Sequence, residues 1–81
     1  MIRQIAGLRG LDRQQMVARC GMAAMNSPYP VGFVAAQACD GLNEFSRSLI
    51  EQYPRLTVRV KENHDHNHTV MVIIERNPDA Y

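Results

Sequence analysis

Apolar and polar positions alternate with two different periods along this chain. Met16, Val17, Cys20 and Ala24 recur on one face of a helix. Asp12 stands before them as an N-cap, with Gln15 three residues on, the spacing of a capping box. Together these predict a helix over 12–25, closed by the breaker run Asn26-Ser27-Pro28-Tyr29-Pro30. Gly21 weakens that helix by ~1 kcal/mol relative to Ala, and it leaves room for a close neighbour. Val31, Val34, Ala35, Ala38, Leu42, Phe45, Leu49 and Tyr53 then form a second stripe at spacings of three and four. They predict one long helix over 31–53, about 35 Å at 1.5 Å per residue, ended by Pro54.

Beyond Pro54 the period becomes two. Leu56, Val58 and Val60 alternate with Thr57, Arg59 and Lys61; Val70, Val72 and Ile74 alternate with Thr69, Met71 and Ile73. This is the pattern of a β-hairpin, with strands at 55–62 and 68–76 and its turn at Asn63-His64-Asp65-His66-Asn67. Setting Leu56 against Ile74, Val58 against Val72 and Val60 against Val70 puts all six on one face. It also sets Arg55 opposite Glu75. Residues 1–10 fit a short first strand or a frayed first helix equally, because Gly7 and Gly10 interrupt Ile2, Ile5 and Ala6.

The fold class expected is α+β: two antiparallel helices, the second one long, packed on a C-terminal β-hairpin, in a single domain over 1–81. A two-stranded sheet is marginal by itself, so its extension by dimerisation is part of the expectation. Eighty-one residues allow one domain and a thin stability margin. Apolar residues make up 46% and charged residues 21%, the balance of an ordinary globular chain rather than a disordered one. No apolar run approaches the ~18 residues of a membrane span, and the N-terminus lacks the apolar core of a secretory signal. A cytoplasmic protein with no membrane contact is expected.

The formal net charge is +1, unevenly spread. Residues 1–30 hold Arg3, Arg9, Arg13 and Arg19 against Asp12, whereas residues 31–81 are net acidic. A nucleic-acid binder usually carries a larger basic excess. Arg9 and Arg13 are nonetheless the candidate contacts for an anionic partner. A winged-helix comparison fails on two counts. The second helix is too long and its exposed face too acidic, and the hairpin tip lacks Lys and Arg.

Candidate chemistry is sparse. Cys20 and Cys39 form neither a C-x-x-C motif nor a zinc spacing, and read as buried free thiols. His64, His66 and His68 alternate, so an extended ribbon would project three imidazoles to one side, a weak candidate metal site. A solvated polar turn is the simpler account, since no thiol is near and a hairpin tip is mobile. No nucleophile has a histidine close in sequence, and Gly7-Leu8-Arg9-Gly10 is too short to count as a phosphate loop. Neither catalysis nor a cofactor is expected.

By elimination the expected function is a small non-enzymatic protein-interaction module, an inhibitor or adaptor. In size and Arg-rich style the chain resembles small proteins of phages and mobile elements, among them anti-CRISPR and other anti-defence inhibitors. That likeness extends to no motif, and those proteins share no fold. The expected partner is a protein, with a homodimer foremost. Contacts are expected from Arg59, Met71 and Ile73 on the outer hairpin face, where two apolar residues stand on the wet side of one strand. The rival function is a small DNA-binding regulator using the Arg-bearing N-terminal third.

Overall fold

The computed structural model describes residues 2–36, 41–62 and 69–77. In chain order the elements are β1 (Arg3–Gln4), α1 (Arg13–Met25), β2 (Val31–Ala36), α2 (Gly41–Gln52), β3 (Leu56–Glu62) and β4 (Thr69–Arg76). The four strands form one sheet in the order β1-β2-β4-β3. The α+β class is as expected, with two helices and a sheet of four strands rather than two.

Helix α1 starts where the capping box places it. The Gln15 backbone N–H donates to Asp12 Oδ1 at 2.8 Å, and the Asp12 N–H donates to Gln15 Oε1 at 3.0 Å. Two otherwise orphaned helix donors are thereby satisfied. At the other end the Asn26 N–H reaches the Met22 carbonyl at 3.1 Å. Val17, Cys20, Gly21 and Ala24 form the buried face.

The long helix over 31–53 is corrected: Val31–Ala36 is a strand, and the helix runs only from Gly41 to Gln52. Val31-Gly32-Phe33-Val34-Ala35 satisfies both periods at once. Val31 and Phe33 are buried on the helix side, whereas Val34 is 45% exposed on the other. A short apolar run cannot be assigned by period, and its β-branched and aromatic residues favour a strand once a sheet is present. Gly32 marks the packed position: a side chain there would meet the Val72 carbonyl oxygen at 2.7 Å.

The antiparallel helix pair is corrected as well. Arg13, first in α1, pairs with Glu44 in the first turn of α2, and Gly21 lies under the ring of Tyr53, just past the end of α2. The helices therefore run in the same direction. The reason is topological. β1 is parallel to β2, and both β2 and β3 are antiparallel to β4, so β1, β2 and β3 share one direction. Each helix is the return path between parallel strands.

The hairpin pairing stands two residues from the expected one. Val58 faces Ile74, Val60 faces Val72 and Leu56 faces Arg76. A shift of two keeps every side chain on its face, so the inward set is unchanged. The expected Arg55–Glu75 pair is absent; Glu75 lies opposite Thr57 and is reached diagonally by Arg59 at 2.9 Å. Long side chains span such diagonals, so the charge pattern does not single out one register.

Both helices bury their apolar faces on the same side of the sheet. Val17, Cys20, Ala24, Phe45 and Leu49 close over Val31, Phe33, Leu56, Val70, Val72 and Ile74. Phe33 and Phe45 meet edge to face, with ring centroids 5.6 Å apart and planes at 86°.

Two outcomes check this packing. Phe45→Ala, which empties a buried site and removes the aromatic pair, is expected to cost ~3–5 kcal/mol in denaturant unfolding. Gly21→Ala is expected to destabilise by ~1–3 kcal/mol, despite the better helix propensity of Ala, because the new methyl overlaps the Tyr53 ring. In a Tyr53→Ala background that penalty should shrink, which a double-mutant cycle measures.

Candidate functional site

The residues that could carry chemistry do not converge. Cys20 is fully buried and makes no disulfide. Burial pushes its thiol from 9.0 up to about 11, against a smaller opposing pull from Arg19. A thiol so held is neutral near pH 7 and a poor nucleophile. Cys39, His64, His66 and His68 lie outside the described residues. Among the described residues no group of three or more His, Cys, Asp or Glu could hold a metal ion. No helix among them is long and apolar enough to cross a membrane.

The five expected contact residues fall in different places. Arg13 is exposed but held by Glu44 across the two helices. Arg9 is exposed on the loop between β1 and α1, beside a groove bordered by Leu8, Met16, Phe33 and Val34. Arg59, Met71 and Ile73 do share the helix-free face of the sheet. However, Ile73 is only 5% exposed and Met71 is half-buried, so the wet apolar spot expected there is corrected. Ile73 belongs to an inner strand, flanked by Gly32 on β2 and Arg59 on β3. The extension sought from a second copy is supplied in part by β2 and β1 of the same chain.

Of the two edge strands among the described residues, β1 and β3, the longer is β3. Among the described residues this strand has a neighbour on one side only, so from Leu56 to Lys61 alternate backbone N–H and C=O groups face away from β4 with no described strand beside them. Its two rows of side chains differ. On the helix side Leu56 is buried, Val58 half-buried and Val60 51% exposed, so burial falls along the strand. On the other side stand Thr57, Arg59 and Lys61. The edge thus offers an apolar row and a basic row. Strand order, which makes β3 an edge, is invisible in the local pattern.

Sequence reasoning also gave no binding role to Tyr29, Arg55 or Arg76. Tyr29 is 55% exposed on the turn between α1 and β2, and all three border one cleft. The only sequence signal was an aromatic between two prolines, which reads equally as a helix stop.

No protein family, no curated protein and no solved structure matches the chain.

The thiol gives a pH test. The folded chain keeps the Cys20 proton to a higher pH than the unfolded chain. The stability tied to it is therefore fully present below about pH 9 and lost as pH rises through about 11. Cys20→Ala is expected to lack that component of the alkaline decline in urea melts. In a Cys39→Ser background, Cys20 should resist alkylation near pH 8 until the chain is unfolded.

Proposed function

We propose that the protein is a non-enzymatic interaction module, an adaptor or inhibitor, that takes an extended segment of a partner protein as a fifth strand along β3. The observation that carries this reading is the edge of β3 from Leu56 to Lys61, beside which no other described strand lies, with an apolar row on one side and Arg59 and Lys61 on the other. Backbone hydrogen bonds would supply affinity and the two side-chain rows the selection, as in other strand-addition complexes. The complementary segment alternates apolar and acidic residues. Its apolar positions continue the helix-side row past Val60, and its carboxylates face Arg59 and Lys61.

A second copy fits the same edge less well. Two-fold pairing of β3 with itself, centred for full overlap, sets Arg59 directly opposite the partner's Arg59. Like charges in that position are destabilising, and Glu75 already serves its own arginine at 2.9 Å. A heterologous partner is therefore favoured over the homodimer.

A peptide alternating Val and Glu serves as the probe. It is expected to bind and to slow hydrogen exchange at β3 amides. Lys61→Glu is expected to weaken it by about threefold to tenfold, and Val60→Lys to weaken it too. Both side chains are exposed, so the fold should survive either change. Light scattering across about a hundredfold dilution is expected to show a monomer. A concentration-dependent mass abolished by Val60→Lys would give the edge to a second copy. Binding without β3 protection would remove the edge from the account.

A further inference from the structure

The α1–β2 turn is built as a rigid mount. The Ser27 hydroxyl donates to the Tyr29 carbonyl at 2.8 Å and accepts from the Tyr29 N–H at 3.1 Å. Ser27 itself is buried, and Pro28 and Pro30 flank Tyr29 and restrict the backbone on both sides. The exposed Tyr29 ring therefore sits on a turn held in one shape.

Arginines lie on both sides of this mount. Arg55 and Arg76 border the cleft that Tyr29 shares, about 560 Å3 in volume. Arg3 and Arg19 border the next cleft, about 390 Å3, and Ser27 belongs to both. All four arginines are exposed. Among the described residues the one carboxylate bordering either cleft is Glu75, which Arg59 already engages. Arg19 is held in place: its Nε–H donates to the Ala6 carbonyl at 3.1 Å, which leaves the Nη donors for an incoming anion. The guanidinium lies across Gly7, where any side chain would meet Nη2 at 2.6 Å.

We infer that this end of the sheet binds single-stranded nucleic acid, with a base stacked on Tyr29 and the backbone phosphates tracked by Arg3, Arg19, Arg55 and Arg76. The inference stands apart from strand addition on β3 and does not depend on it. An exposed aromatic between guanidinium groups is the arrangement that reads an unpaired strand: the ring takes the base face and the arginines take the phosphates. A duplex hides its base faces inside the stack, so it would leave Tyr29 unused. A lone phosphate would need donors converging on one point, and here they flank an aromatic ring on two sides.

Fluorescence anisotropy with an oligothymidylate of about 15 nucleotides tests the inference, with a duplex of equal length and heparin as comparators. The single strand is expected to bind tightest, with log K falling against log salt at a slope of about −3, near −0.7 for each of four phosphates. Arg3→Gln or Arg76→Gln should each take about 0.7 from that slope, and Arg9→Gln should leave it unchanged. Tyr29→Ala should weaken binding about 5- to 150-fold, the share of one stacked base. Tyr29→Phe should keep the affinity but lose part of the quenching of tyrosine emission, which is readable because the chain has no Trp. Thermal melts of each variant confirm that the exposed substitutions leave the fold intact. No binding at low salt would overturn the inference. Equal affinity for duplex or heparin, with Tyr29→Ala unaffected, would overturn it too by reducing the surface to unspecific charge.

Discussion

The pairing of β2 with β4 is the constraint on which the rest of this structure depends. Val31 to Ala36 lie against Ile74 to Thr69 in antiparallel register, which places β4 inside the sheet with a strand on either side. Only then can Val72 and Ile74 be fully buried on one face while Ile73 is nearly so on the other. A strand hydrogen-bonded on both sides exposes no backbone to water, and its neighbours on each face shield its side chains. That explains why Met71 and Ile73 are apolar at positions where an edge strand would carry polar residues.

The direction of the helices follows from the same pairing. With β1, β2 and β3 parallel, α1 and α2 must each carry the chain back along the sheet, so they lie side by side in one direction. Their contact is close because α1 presents Gly21 and Ala24 where Tyr53 and α2 approach. The ion pair of Arg13 with Glu44 joins the two starts, but it is exposed and adds little beyond alignment. The apolar packing, with Leu49, Leu56, Val72 and Ile74 fully buried and Phe33 against Phe45, holds the layers together.

This architecture leaves function to the periphery. The helices consume one face of the sheet, Cys20 is sealed within the core, and two groups of exposed residues, Arg59 and Lys61 at the β3 edge and Tyr29 with its arginines around the α1–β2 turn, lie at the rim. Recognition at these two places needs no enclosed pocket. The edge offers backbone hydrogen bonds with two contrasting side-chain rows. The turn offers an aromatic ring on a braced mount between arginines, whose planar guanidinium groups suit phosphate.

Much of the local structure was written in the sequence. Asp12 and Gln15 set the start of α1, the run through Pro28 and Pro30 set its end, and strict alternation marked β3, β4 and their inward faces. These signals act over a few residues, through caps, fixed backbone angles and the pleat of a strand, so they survive without knowledge of the fold. The segment 31–36 was different: its apolar residues suit a helix and a strand alike, and only the empty side of β4 decided between them. The strand order, the two-residue offset of the hairpin and the shared direction of the helices were likewise tertiary decisions. They depend on which hydrogen-bonding edges meet across the folded chain, and no local pattern records that. Arg3, Arg19, Arg55 and Arg76 come to one end of the sheet for the same reason. They lie up to seventy-three positions apart in the sequence and are neighbours of one turn only after β2 has paired with β4.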